Sequence, residues 1–422
     1  MHILFLTDNF PPEVNAPASR THEHCRQWVQ AGHQVTVVTC APNFPTGRVF
    51  EGWKNRLWQQ QRMDGIRVIR VWSYITANEG FARRVLDYIS YMATAFVASL
   101  FVRRVDVVVA TSPQFFTACA GWAVAGCKRV PYVFELRDIW PESIKAVGAM
   151  QDSLAIRLLE RIELFLYRRA DRIVSVTESF KRTLGARGID TGKIDVITNG
   201  VDIKRFSPRP KDTELERELG LQDCFVAGYV GTHGLAHGLE TLLLAAQQLQ
   251  ARQAEAEGQG GARIRIVFLG DGAKKTELKA QAAQMGLRNV VFIDSVAKDQ
   301  VARYWSLLDI SIIHLRATEL FATVIPSKLF ECMGMGLPVL HGVRGESADI
   351  VLREGVGVPF EPENAEQLTQ LLLKFAAEPQ TLHQYRARCL GAAGHYDRSA
   401  LAMRMLATLV ATVEGTAAGK KR

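Results

Sequence analysis

Residues 321–339 read F-A-T-V-I-P-S-K-L-F-E-C-M-G-M-G-L-P-V. Ile325-Pro326 closes a loop, and the spacing predicts a short helix over 327–333 with Pro326 at its first position. Proline is favoured there because its missing N–H would have no partner anyway. Gly334 and Gly336 are predicted to stop the helix, and Pro338-Val339-Leu340 reads as a buried strand. A helix followed at once by a short apolar strand is half of a βαβ unit, which points to a parallel sheet. The start of such a helix offers free N–H groups to an anion, and Ile325, Pro326, Ser327 and Leu329 are the candidate contacts there. Glu331, one turn further in, is placed to accept hydrogen bonds from a ribose diol. Together these describe a seat for a nucleoside diphosphate. The same letters also spell an ordinary helix with a surface glutamate, and a short motif alone does not choose between the two.

Outward from this stretch the strand–helix alternation continues in both directions. Toward the carboxyl terminus a strand is predicted at 356–359 and a helix at 365–375. Toward the amino terminus, strands are predicted at 225–230, 264–269, 290–293 and 310–314, with helices at 238–250, 274–285 and 298–307. Before them lies I-T-N-G-V-D-I-K-R-F-S-P-R-P (197–210), whose Asn-Gly and prolines mark a loop or linker. The first half carries its own series of strands, at 2–6, 34–39, 66–72, 105–110, 132–136, 172–176 and 193–197, with helices such as 18–31 and 154–169 between them. Short apolar runs rich in β-branched residues, alternating with helices, predict doubly wound parallel sheets. The expected architecture is α/β: two Rossmann-like domains, 1–200 and 201–380, facing across a cleft. A helical segment, 381–422, is expected to pack back on the first domain.

A chain of 422 residues suits two or three domains, and 48% hydrophobic with 22% charged residues is ordinary for a globular protein. A net charge of +8 favours anionic partners. The only dense basic run is Lys420-Lys421-Arg422, which argues against nucleic acid. Seven scattered cysteines without a C-x-x-C fit free thiols in a reducing cytoplasm. The amino terminus opens on a strand, H-I-L-F-L, with no signal-peptide pattern. Residues 85–102 are nearly all apolar and flanked by Arg83-Arg84 and Arg103-Arg104. Asp87 and several hydroxyls interrupt them, so a buried or membrane-touching helix is expected in place of a span. Residues 154–169 are amphipathic, basic and aromatic; a core-packed helix and a membrane-surface helix both fit.

The chain resembles the GT-B glycosyltransferases of family 4, retaining nucleotide-sugar transferases. The resemblance rests on D-N-F-P-P-E-V-N-A-P-A-S-R (8–20), E-L-R-D-I-W-P-E-S (135–143), A-D-R-I-V-S-V-T-E (170–178), N-G-V-D-x-x-x-F-x-P (199–208), Y-V-G-T-H-G-L-A-H-G-L-E-T-L (229–242), L-G-D-G (269–272) and the 321–339 stretch. Its form is most like the bacterial surface-polysaccharide branch that includes L-fucosamine (N-acetylfucosaminyl) transferases. The chain departs from the family in two places. Thr323 stands where the first of two glutamates usually lies, eight positions before Glu331. The loop T-H-G-L-A-H-G carries His233 and His237 near the usual arginine and lysine.

The resemblance implies a UDP-sugar donor, a lipid-linked saccharide acceptor, retention, no metal and no cofactor, in the cytoplasm or on the inner face of the plasma membrane. Without a metal, the leaving diphosphate must be met by N–H groups, a helix dipole and cations. Lys328 and Arg316 are candidate cations, and each also reads as an ordinary surface side chain. His233 and His237 can donate to phosphate as imidazolium or as neutral rings; a metal pair lacks a third ligand. Gly231, Thr232, Gly270 and Asp271 belong to loops that follow strands, and the resemblance sets backbone near Ser295 and Val296 against the base. In the first domain Asn15 and Ala16 follow the first strand, at the sheet end where ligands bind. Arg137 and Asp138 are candidate catalytic groups, or a pair bracing a loop. Glu13, Ser112 and Trp140 are candidate acceptor contacts. Two competing functions remain open: a nucleotide-sugar 2-epimerase, and a non-catalytic glycan-binding protein. A dinucleotide oxidoreductase is disfavoured, because no G-x-G-x-x-G follows the first strand.

Overall fold

The computed structural model describes residues 1–44, 46–76, 81–112, 114–139, 154–255, 263–297 and 299–419. The chain divides into two units, Met1–Thr198 with Arg398–Arg422, and Asn199–Asp397. The first unit runs β1 (His2–Leu6), α1 (Ala16–Gln30), β2 (Gln34–Cys40), β3 (Trp58–Met63), β4 (Ile66–Val71), α2 (Phe81–Leu100), β5 (Val107–Thr111), α3 (Phe115–Lys128), β6 (Tyr132–Leu136), α4 (Leu154–Arg169), β7 (Arg172–Ser175), α5 (Glu178–Ala186) and β8 (Ile194–Val196). Its eight strands lie in the order β3-β4-β2-β1-β5-β6-β7-β8. Only β3 is antiparallel to its neighbour. The inner strands are apolar on both sides because helices cover both faces. Ile3 and Phe5 of β1 join Trp28 of α1 in one core. Leu4 and Leu6 join Tyr91 of α2, Phe115 of α3 and Leu166 of α4 in the other.

The second unit runs α6 (Thr213–Glu218), β9 (Cys224–Val230), α7 (Glu240–Glu255), β10 (Arg263–Leu269), α8 (Lys275–Gln284), β11 (Val290–Ile293), α9 (Val301–Trp305), β12 (Ile310–His314), α10 (Lys328–Met335), β13 (Val339–Gly342), α11 (Glu346–Glu354), β14 (Gly357–Pro359), α12 (Ala365–Ala377) and α13 (Pro379–Ala393). Its six parallel strands lie in the order β11-β10-β9-β12-β13-β14. Counted along the chain this is 3-2-1-4-5-6, the doubly wound order whose switch point falls between β9 and β12. Two Rossmann-like α/β units are thus present, as expected.

The last helix, α14 (Arg398–Gly419), belongs to the first unit. Trp28 Nε1 donates to the Ala402 carbonyl at 2.8 Å, and Arg398 donates to both Glu23 carboxylate oxygens at 3.0 and 2.9 Å. Residues 398–418 are long and apolar enough to cross a membrane by length and composition, yet Leu401, Met405, Leu406 and Leu409 are core residues.

Two expectations are corrected, and one strand was not expected. First, residues 381–397 do not return with the tail: Leu382 packs in one core of the second unit, and Cys389, Ala392 and Ala393 in the other. The first break falls between Thr198 and Asn199. Second, α10 begins at Lys328, two residues after Pro326, and runs through Gly334. Only Gly336, left-handed at φ 65°, ends it. Third, W-Q-Q-Q-R-M forms β3, a strand that no apolar run announces. The cysteines are free: Cys25, Cys40, Cys332 and Cys389 are buried and Cys127 is exposed.

Candidate functional site

In the second unit the predicted donor residues gather where β9, β10 and β12 end. Past their last paired residues, the chains after β9 and β10 stay in direct backbone contact. Gly231 N–H donates to the Leu269 carbonyl at 2.8 Å, His233 N–H to Asp271 at 2.8 Å, and Lys274 N–H to His233 at 2.9 Å. Gly270, at φ 144°, has no room for a side chain: a Cβ there would lie 1.9 Å from the Gly231 carbonyl oxygen. Gly231, at φ 139°, leaves its space to Lys328, whose Cε would lie 2.4 Å from an added Cβ. The Lys328 ammonium sits 3.7 Å from the centre of the Tyr229 ring, a cation–π contact at the head of α10. Burial lowers its pKa to about 7, against the opposing pull of Glu331 and Cys332.

The N–H groups of Leu329, Phe330 and Glu331 close on the carbonyls of Pro326 and Ser327. That leaves the amides of Ser327 and Lys328 at the open end of α10. Glu331 is half-buried in the first turn. Leu329, by contrast, buries its side chain in the core, so only its backbone lies near the site. Ile325 is buried as well, while Pro326 and Ser327 are half-buried. Thr323 turns its hydroxyl to the Leu320 carbonyl at 2.8 Å.

His233 is 0% exposed, and neither ring nitrogen has a hydrogen-bond partner. Burial, then the charges of Lys275 and Lys328, lower its pKa to about 4. His237 is half-buried with Nδ1 unpartnered, and burial followed by Lys328 lowers it to about 4. Without a bound anion both rings are therefore neutral at pH 7. His314 at the end of β12 accepts from Glu363 N–H at Nε2 (2.9 Å), so Nδ1 carries the proton and donates to the His237 carbonyl at 2.7 Å. Arg316, the second candidate cation, is half-buried beside the histidine loop. It donates to the Leu235 carbonyl at 2.7 Å and pairs with Glu240 and Glu363 at 3.4 Å each, so its charge is met and it braces the histidine loop. Thr232 and Ser295 are exposed, and Val296 packs against a core.

In the first unit, the segments after β1, β5 and β6 hold the remaining candidates. Asn15 caps α1, its Oδ1 accepting from Ala18 N–H at 2.8 Å, and Ala16 beside it is exposed. Glu13 is buried: Oε1 accepts from the amides of Asn43 and Phe44 at 2.8 and 2.9 Å, while Oε2 has no partner. Burial raises its pKa. Ser112 is buried, and its hydroxyl accepts from the amides of Arg137 and Asp138 at 2.8 and 3.2 Å. It positions that loop and is corrected as an open acceptor contact. Arg137 and Asp138 are half-buried. Arg137 donates to the Pro17 carbonyl at 3.2 Å, and burial lowers its pKa to about 10. Trp140 lies outside the described residues.

The family model described as "Glycosyl transferase 4-like domain" matches residues 15–200. The one described as "Glycosyl transferases group 1" matches residues 211–389. The chain belongs to the GT-B glycosyltransferases of group 1. Among curated relatives, this glycosyltransferase is 24% identical over 382 residues to WcaI of Escherichia coli (strain K12), named for colanic acid biosynthesis, covering 87% of this chain and 90% of that one. It is 24% identical over 366 residues to a GDP-mannose-dependent alpha-mannosyltransferase of Mycobacterium tuberculosis, covering 85% and 83%. Among solved structures, Alr3699/HepE of Anabaena in complex with UDP superposes at a TM-score of 0.71 with 17% identity, over 97% of this chain and all of that one.

Two residues that shape this site were missed by sequence reasoning. Tyr229, the next-to-last residue of β9, is the platform for Lys328. Buried Lys275 donates to the Gly270 carbonyl and to Asp294, both at 2.6 Å, tying the end of β10 to the segment after β11. A lysine three residues past G-D-G, at the start of a helix, was the available signal.

Proposed function

We propose that this glycosyltransferase moves a sugar from a UDP-sugar to a lipid-linked saccharide in bacterial surface-polysaccharide synthesis, with retention at the anomeric carbon. The observation that carries the reading is the Lys328 ammonium held against Tyr229 and Gly231 at the open start of α10, at the switch point of the sheet. The amides of Ser327 and Lys328, the Lys328 charge and the neutral N–H groups of His233 and His237 receive the leaving diphosphate, and Glu331 takes the ribose. The anomeric C–O bond to phosphate breaks, the bond to the acceptor oxygen forms on the same face, and the acceptor proton passes to the leaving phosphate oxygen. Arg137 and Asp138 of the first unit serve the acceptor. UDP-N-acetyl-L-fucosamine is the donor to try first, by likeness of motif, and the setting is the cytoplasmic side of the membrane.

Titration calorimetry with UDP and GDP, followed by a screen of UDP-sugars against a lipid-diphosphate saccharide with NMR of the product anomer, tests this. Expected are UDP binding, transfer with the donor's anomeric configuration kept, and turnover unchanged by EDTA. Tighter binding of GDP, which the mannosyltransferase relative makes worth measuring, would overturn the uridine assignment. Absence of binding to either nucleotide at millimolar concentration would overturn the donor site itself.

A further inference from the structure

The second unit carries a cleft at the opposite end of its sheet from the donor residues. Its volume is about 350 Å³, at the small end of the range for organic ligands. Strands β9 and β12 run side by side and parallel. Tyr229 and His314 stand toward their carboxyl ends, with the donor candidates. At the other end Cys224 and Phe225 open β9, and Asp309 immediately precedes β12. These three line the cleft, together with Phe375 near the end of α12 and Pro379 and Leu382 at the start of α13.

Phe225, Phe375 and Leu382 are buried and give the cleft an apolar floor. Lys211 and Arg386 bring two cations into the lining. Lys211 Nζ lies 3.1 Å and an Arg386 guanidinium nitrogen 3.4 Å from the Asp309 carboxylate, which also accepts from Val226 N–H at 2.9 Å. Among the described residues Asp309 is the one carboxylate that either cation meets. The inner acceptor is thus taken by three donors, while one positive charge and most of the N–H groups of the lysine and the arginine are left over. Asp223 and His383 lie exposed at the rim, where solvent screens a charge. The end of α12 and the start of α13 meet here, so their opposite end charges largely offset each other and the side chains set the sign. Spare cationic donors above an apolar floor suit a compact apolar body with an anionic group. A neutral sugar suits it less, because its hydroxyls need acceptors and the inner one is occupied.

We propose that this cleft binds a small organic anion, a ring or short chain bearing one carboxylate or phosphate, separately from the nucleotide. The inference goes beyond glycosyl transfer and does not rest on the donor reading. The full chain, with UDP present to fill the donor site, is titrated calorimetrically with benzoate, phenyl phosphate, the neutral benzyl alcohol and inorganic phosphate. The place of binding is read from the rate at which iodoacetamide alkylates Cys224, half-buried in the cleft lining, against exposed Cys127 of the first unit. Both organic anions should bind at millimolar concentration and slow alkylation of Cys224 several-fold, leaving Cys127 unchanged; whichever binds tighter names the headgroup. Benzyl alcohol with the wild type, and either anion with Arg386→Gln, should bind about 10- to 100-fold more weakly, the loss of a charged hydrogen bond. Inorganic phosphate, which lacks the apolar body, should bind about 10-fold more weakly or worse. Lys211→Gln is the second variant should Arg386→Gln fail to fold, and the thermal midpoint and UDP titration of each should match the wild type. Absence of heat with both anions at millimolar concentration would overturn the proposal. So would binding that leaves a reactive Cys224 unprotected, variants that bind like wild type, or benzyl alcohol or inorganic phosphate binding as tightly as phenyl phosphate. A chain that fails to bind UDP yet shows Cys224 protected would sink the donor reading and leave this one standing.

Discussion

At the scale of single residues the site turns on Lys328. Its ordinary pKa of 10.5 is lowered to about 7 by burial, so near neutrality the site holds the charge only in part. A bound diphosphate favours the ammonium, and above pH 7 its arrival draws a proton from solution. UDP affinity should therefore fall between pH 7.5 and 9, above the phosphate's own ionisation near about 6. Calorimetry in buffers of different ionisation heat should show proton uptake. Lys328→Ala should weaken UDP about 10- to 100-fold through loss of a charged hydrogen bond of about 1.5–3 kcal/mol, and should flatten the pH dependence; an unaltered slope would remove Lys328 from the diphosphate. Without ligand the sign reverses, because the unfolded chain binds the proton that the folded one gives up. This lysine's cost to stability is full below pH 7 and fades as the pH rises toward 10.5. The chemistry of this residue was legible in I-P-S-K, but its depressed pKa was not. That comes from burial, in a space that Gly231, nearly a hundred positions away, leaves free. The neutrality of His233 and His237 was hidden for the same reason, since it follows from burial and from lysines on other elements.

Among elements, inner strands such as β1, β6, β9 and β12 were legible because a strand covered on both faces has to be apolar throughout. Strand β3 was not. It lies at a sheet edge, needs only to pair with β4, and its W-Q-Q-Q-R-M carries no buried face. The α10 glycines show how like residues can differ. Gly334 sits inside the helix, where alanine would ordinarily stabilise by up to about 1 kcal/mol. Here a Cβ would lie 2.6 Å from the Phe206 carbonyl oxygen, a backbone atom that cannot rotate aside. Gly336 is left-handed, where alanine costs about 1 kcal/mol. Both Gly334→Ala and Gly336→Ala should lower the thermal midpoint, Gly334→Ala by more. A raised midpoint for Gly334→Ala would mean the Phe206 segment yields easily. Gly270→Ala should cost more than about 2 kcal/mol, because its Cβ would meet the Gly231 carbonyl oxygen at 1.9 Å; a midpoint within a degree of wild type would refute the close backbone contact beneath the site.

For the whole molecule, the chain leaves its first unit at Thr198 and comes back to it at Arg398. Two-domain organisation was legible from the restart of strand–helix alternation. The return point was not, because α13 and α14 both bury apolar residues, and which core takes each depends on faces that the linear pattern does not label. Helix α14 also has the length and composition of a membrane span, so its role needs a test that separates the two. Removing residues 398–422 takes Leu401, Met405, Leu406 and Leu409 from the core shared with Trp28. At about 1.5–3 kcal/mol for each buried side chain, the loss is about 6–12 kcal/mol, as large as the whole stability of a typical domain, about 5–15 kcal/mol. The truncated chain should therefore collect in the insoluble fraction or lose its near-ultraviolet circular dichroism. A spanning helix predicts the opposite, a chain that stays folded and simply leaves the membrane fraction. Recovery of soluble, folded 1–397 would show that α14 is not part of the first unit's core.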